Sequence, residues 1–207
     1  MNRTLIGAGA AVIAAASVIP YLRAIARGST RPALTTYIVK AVVGLTLVTS
    51  YFSTGARATA WTMLVFALSA IAIVALSARR GIGHWTRIDQ ATLTATLVGL
   101  VLWKQTANPE IALYTSASLK WMSLAPTLVK LHDYPGTENA PSWIMALSAD
   151  TLNLFALPSL IPQMALPAVN EVILSAVVVL YLLHQTAQRK GAGKGHSDAS
   201  KSARRSD

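Results

Sequence analysis

Seven apolar stretches fill nearly the whole chain, and the first and the fifth close on the same pattern, a proline followed within a turn by a basic residue. About 20 mostly apolar residues are what an α-helix needs to cross a hydrocarbon core. A backbone inside that core must satisfy its own polar groups, which a helix does. The stretches lie near residues 4–22, 33–53, 58–78, 88–103, 111–131, 141–158 and 165–185. They leave little chain for a soluble domain. The sequence thus predicts an all-α integral membrane protein with seven transmembrane helices, its short fourth span flanked by Trp85 and Trp103 as interfacial anchors.

Composition agrees: 53% of residues are hydrophobic and 13% charged, against about 25% charged in a soluble domain. The chain has no cysteine, which excludes disulfides, thiolate chemistry and cysteine-ligated metals. A net charge of +10 resembles a nucleic-acid signal until its placement is considered. Arg189, Lys190, Lys194, Lys201, Arg204 and Arg205 crowd a terminal Gly/Ser/Lys segment with no apolar periodicity. Residues 187–207 are expected to form a disordered basic tail. Such a tail fits either attraction to anionic inner-leaflet lipid or simple fixing of orientation. No nucleic-acid partner is expected.

Other positive charges set the orientation. Arg23, Arg27 and Arg31 separate the first two spans, Arg79, Arg80 and Arg87 the next pair, and Lys130 follows the fifth. The opposite side holds Arg3, Arg57 and Lys104. Basic excess marks the cytoplasmic side, so the amino terminus is expected outside and the carboxyl terminus inside. Arg3 is outweighed by the arginines after the first stretch, the wrong polarity for a secretory signal, so that stretch is expected to be retained as a span.

A shift of 106 residues lays the chain on itself: Pro20 falls on Pro126, Leu22 on Leu128, and Thr36-Tyr37 on Ser142-Trp143. Two three-helix repeats follow, residues 1–80 and 110–186, joined by a linker helix in 81–109. With three helices and one linker, the halves face the same way across the membrane, as parallel repeats. Proline lacks the N–H that would bond the preceding turn. Pro20 and Pro126 therefore read either as helix terminators or as hinges, and their matched positions favour hinges.

Ile19-Pro20-Tyr21-Leu22 with Gly28-Ser29-Thr30-Arg31-Pro32, and Ala125-Pro126-Thr127-Leu128 with Lys130 and Thr137-Glu138-Asn139, resemble the PQ-loop proteins. That superfamily includes the SWEET and SemiSWEET sugar transporters, cystinosin-like carriers and the KDEL receptor. The resemblance covers about residues 4–185 and implies the three-one-three layout. The family glutamine is Tyr21 in one half and Thr127 in the other, so sugar specificity does not carry over. The chain looks closer to uncharacterised bacterial seven-span relatives than to true SWEETs.

Ionisable residues within a membrane are costly and mark function or pairing. Lys120 lies about nine residues into span five, ~14 Å deep at 1.5 Å per residue, and Asp150 reaches a similar depth in span six. They are expected to pair, because an unpaired buried charge is far more costly. Ser116, Ser123 and Asn153 lie nearby at helical spacing, and Trp121 and Trp143 offer aromatic walls, Trp143 also reading as a boundary anchor. The pair reads either as a solute site or as a salt bridge that fixes helix register. The equivalent positions in the first half are Ala14 and Gly44, so the charge sits in one half only.

The resemblance makes Asn170 a candidate by position, since SWEET-type sites use an asparagine on the seventh helix. Glu171 reads as a proton carrier or outer gate or, preferably, as the neutraliser of Lys104 or Arg57. Lys40 is expected to snorkel to the headgroups, and Asp89 to serve a helix N-terminus. The small residues Gly7, Ala11 and Ala15 suit helix packing.

The sequence holds no HExxH pair, no aspartyl dyad and no lysine deep in the seventh span for a retinal, so no enzyme, cofactor or metal is expected. The reading is a multi-pass carrier in a bacterial inner membrane, moving a small polar solute of the sugar, amino acid or organic acid class by alternating access. Its candidate binding residues are Lys120, Asp150, Asn153, Ser116, Trp121 and Asn170, with hinges at Pro20 and Pro126. The alternative is a non-transporting receptor or an accessory subunit of a larger membrane complex. Self-association is left open.

Overall fold

The computed structural model describes residues 2–53, 55–79, 86–106 and 109–203. Seven α-helices follow one another among them: α1 (Arg3–Ala26), α2 (Leu34–Ser53), α3 (Arg57–Arg79), α4 (Arg87–Thr106), α5 (Pro109–Asp133), α6 (Ala140–Leu154) and α7 (Pro162–Ala203). Four segments, Arg3–Ala26, Leu34–Phe52, Arg57–Ala78 and Met164–Arg189, are long and apolar enough to cross a membrane. The chain is therefore a helical membrane protein. The other three helices fall short of the seven-span expectation. α4 and α5 are long enough but not apolar enough. The 15 residues of α6 rise about 22 Å, against a hydrocarbon core of about 30 Å. The deficit has a source: α5 and α6 bury Lys120, Ser123, Thr127, Ser142, Asp150 and Asn153 inside the protein.

Local chemistry sets the helix ends. Asn2 caps α1 and Asn139 caps α6, the Asn139 side chain accepting from the Ser142 N–H at 3.0 Å. At α4, Asp89 accepts from the Thr86 N–H at 2.8 Å while its own N–H donates back to the Thr86 hydroxyl at 3.2 Å. This reciprocal capping box gives Asp89 the structural role read from the sequence. At the end of α1, Gly28 takes φ 74°, its N–H donating to Ile25 O while that of Ser29 donates to Ala24 O, each at 3.0 Å. This left-handed turn reverses the chain where a residue with a Cβ would be strained.

Pro20 and Pro126 do not end their helices. α1 continues to Ala26 and α5 to Asp133, so both prolines are internal and the terminator reading fails. Three residues before each proline a serine bonds back to its own helix: Ser17 Oγ to the Ala14 carbonyl at 2.7 Å, Ser123 Oγ to the Lys120 carbonyl at 2.8 Å. Thr36 of α2 donates to the Ser123 carbonyl, in the turn that Pro126 loosens, and meets the Thr127 hydroxyl at 3.0 Å.

α3 packs against both α1 and α2, and α7 against both α5 and α6. Between these groups α1 lies on α6 and α2 on α5, while α4 rests on α5 and touches α2. The α1–α2 and α5–α6 loops meet at one end, where the Arg31 N–H donates to Thr137 O at 3.1 Å and Lys130 Nζ to Arg31 O at 2.6 Å. At the opposite end Val48, Tyr51, Ala56, Ala60, Met63, Leu157, Met164 and Ala168 form an apolar layer. The Tyr51 hydroxyl ties that layer across by donating to Met164 O at 2.9 Å.

Two expectations change here. α7 continues as helix to Ala203, where the sequence suggested a disordered tail from residue 187. No proline follows Pro167 in that helix, but Gly191, Gly193 and Gly195 are poor helix formers, so local propensity does not account for the extension. The packed face of α1 is Gly7, Ala10, Ala14, Ser17 and Tyr21, whereas Ala15 is exposed. Trp85 and the side chain of Trp103, expected as anchors, lie outside the described residues.

A Cβ at Gly7 would lie 2.5 Å from the Ala58 carbonyl oxygen of α3, whereas one at Gly9 would meet only Leu152 at 3.6 Å. Gly7→Ala is expected to lower the unfolding temperature in detergent, overpacking costing about 1–3 kcal/mol. Gly9→Ala should hold or raise it, alanine being better in a helix by about 0.5–1 kcal/mol. Thermal unfolding of the two variants side by side decides, and equal stability would show that α1 and α3 do not approach this closely.

Candidate functional site

Between the helix groups lies a cavity of about 90 Å³. Since ~10–15 Å³ of such space holds one water, there is room for several waters or a small solute. Its walls are built by helical spacing. Tyr37, Lys40 and Gly44 recur at i, i+3 and i+7 on α2, and Trp143, Ala146 and Asp150 repeat that spacing on α6. The two triplets are related by the 106-residue shift seen in the sequence. Ser69 of α3 and Ser175 of α7, also lining residues, are equivalent by the same shift. α5 contributes Lys120 and α7 contributes Glu171.

Four charged side chains thus share one cavity: Lys40, Lys120, Asp150 and Glu171. Lys120, 4% exposed, forms an ion pair with Glu171, its Nζ donating to Oε1. This corrects the expected Lys120–Asp150 pair, and it corrects the assignment of Glu171 to Lys104 or Arg57. The reason is helix register. α7 begins at Pro162, so Glu171 lies nine residues inside it rather than near its end and comes level with Lys120.

Asp150, 3% exposed, accepts a hydrogen bond from the Ser175 hydroxyl at 2.6 Å through Oδ2. Its Oδ1 has no hydrogen-bond donor among the described residues. Lys40 does not snorkel. Its Nζ lies 4.7 Å from the centre of the Trp143 ring and 5.8 Å from that of Tyr37. Two aromatic faces hold the ammonium electrostatically, and it has no carboxylate partner among the described residues.

Trp143 is buried and is a wall of the cavity rather than a boundary anchor. Its indole N–H donates to Glu138 Oε2 at 3.1 Å. Glu138 in turn pairs with Lys130, which also holds the Arg31 carbonyl. The cavity wall is thereby tied to the junction of the two loops.

Of the six candidate residues, Lys120 and Asp150 line the cavity. Trp121 is 43% exposed and points away. Ser116, Asn153 and Asn170 lie outside the lining. Asn153 and Asn170 are nevertheless buried, with side-chain polar atoms that lack partners among the described residues. Lys40, Glu171 and Ser175 were missed. The signal for Lys40 was present in its spacing from Tyr37 and Gly44, which copies Trp143 and Asp150.

Comparison with family models, with curated proteins and with solved structures finds no match for this chain. The reading of the site therefore rests on its own geometry.

Removing one member of a buried ion pair strands the other charge, at about 3–5 kcal/mol, whereas replacing both with apolar residues is close to neutral. Lys120→Met and Glu171→Leu are each expected to lower the unfolding temperature markedly, and the double variant to recover most of the loss. A double-mutant cycle of thermal unfolding in detergent measures this. Additive losses would mean that the two groups are not partners.

Proposed function

We propose that this protein is a membrane carrier that moves a small polar solute by alternating access, built as two parallel three-helix bundles, α1–α3 and α5–α7, joined by α4. The observation that carries the proposal is the cavity, which gathers four ionisable groups, Lys120 and Asp150 among them buried, on faces related by the 106-residue shift. Transporters with internal repeats hold their solute at such an interface, and ionisable groups in a membrane interior mark solute or ion pathways.

Several contacts support the repeat. The packing order is α1–α3–α2 in one half and α5–α7–α6 in the other, and the cross-contacts α1–α6 and α2–α5 exchange under a two-fold operation. Arg31 and Thr137, equivalent by the 106-residue shift, bond to each other, as residues beside the axis would. Their loops share one end, which is what parallel halves require. In this reading the Lys130–Glu138 junction closes one mouth and the Tyr51–Met164 layer the other. Pro20 and Pro126 are the flexible points, each denying the carbonyl four residues earlier, Ala16 or Met122, its N–H donor. The arrangement fits the PQ-loop resemblance, with the basic loops on the cytoplasmic side of a bacterial inner membrane and the amino terminus outside. Tyr21, at a family glutamine position, lines the cavity.

The absence of cysteine makes a direct test available. Ala146→Cys adds one thiol to the cavity wall. In proteoliposomes a membrane-impermeant maleimide is expected to modify it from either face. Modification from one face only would overturn the carrier reading and leave the receptor or accessory-subunit reading. Ala14→Cys, buried in the α1 packing face, serves as the unreactive control.

A further inference from the structure

Resting on the carrier reading, the geometry points to a narrower ligand class: a zwitterion bearing one carboxylate and one ammonium, as a small apolar α-amino acid does. Among the described residues, two charged groups in the cavity lack an ion-pair partner, and they are opposite in charge; the Tyr21 hydroxyl beside them is unpartnered as well. Lys40 has aromatic faces but no carboxylate, and Asp150 Oδ1 has no donor. The other two charges, Lys120 and Glu171, neutralise each other. With Lys40 and Asp150 ionised, the four lining charges sum to zero.

This balance constrains the occupant. A monoanion or monocation would bring an unbalanced charge into a buried, largely apolar space, which is strongly unfavourable. A zwitterion leaves the sum at zero and satisfies both open groups at once. Its carboxylate accepts from Lys40 Nζ, and its ammonium donates to Asp150 Oδ1 while Ser175 holds Oδ2. Val18, Met63, Phe66, Ala70 and Ile73 supply the apolar remainder of the wall. They favour an aliphatic side chain over a polar or charged one. A neutral polyol would find the hydroxyls of Ser17, Ser69, Ser142 and Tyr21 as well, but it carries no charge to answer Lys40 and Asp150.

The test uses the purified full chain in detergent and four probes: L-valine, isovalerate (valine without its ammonium), isobutylamine (valine without its carboxylate) and glucose. Isothermal titration is expected to show valine binding, with isovalerate and isobutylamine each weaker by about tenfold or more, the effect of losing one hydrogen bond to a charged group. Lys40→Gln, which leaves the cavity with a net negative charge, should weaken valine by a similar factor and strengthen isobutylamine. Asp150→Asn, which leaves it with a net positive charge, should weaken valine and strengthen isovalerate. Equal or tighter binding of either truncated probe, or binding of glucose alone, overturns the zwitterion while leaving the carrier intact. No binding by any probe also overturns it, and the two-sided labelling of Ala146→Cys then decides separately whether the carrier stands. The comparison of probes on the unaltered protein carries the test even where a variant fails to fold.

Discussion

Charge inside an apolar bundle must be neutralised or held by polar groups, and the arrangement of this protein follows from that requirement. Lys120 on α5 and Glu171 on α7 meet that demand for each other, which fixes the relative register of those two helices. Their register brings Ser175, one turn beyond Glu171, onto Asp150 of α6. Asp150 and Trp143 lie on one face of α6, so placing Asp150 also places the indole against Lys40 of α2. A chain of three polar contacts therefore connects four helices, and the cavity lies among them.

Positions related by the 106-residue shift carry different chemistry. Where the second half carries Asp150, the first carries Gly44, and a Cβ there would lie 3.1 Å from that of Ala67. Where the second half carries Lys120, the first carries Ala14, which is fully buried. The first half thus packs closely at the positions where the second half places charge. Lys40 reverses the pattern, facing Ala146 at the equivalent place. Glu171 departs from this pattern, its equivalent position holding Val65.

Much of the fold was legible because it rests on local, repeating signals. Apolar runs located all seven helices. Depth was less legible, because a hydropathy run reports where a helix is apolar and not where it starts. Glu171 looked peripheral because the apolar run of span seven begins after Pro162, and its pairing with Lys120 was missed for that reason. The direction of a side chain is a property of packing. Apart from its spacing from Tyr37 and Gly44, nothing in the run around Lys40 shows that it turns inward, since a long cationic side chain near a helix end has an equally good route to water. Trp121 and Trp143 differ in the same way: the chain composition treats them alike, while one faces outward and the other is enclosed.

Trp143 belongs to two structures at once. Its ring covers the Lys40 ammonium on one side, and its N–H is held by Glu138, which is anchored to Lys130 and through it to the Arg31 carbonyl. The indole therefore acts as a lever with its fulcrum in the wall and its handle at the loop junction. Any change in the spacing of the two loops is thereby felt by the ring that covers Lys40, through one rigid side chain.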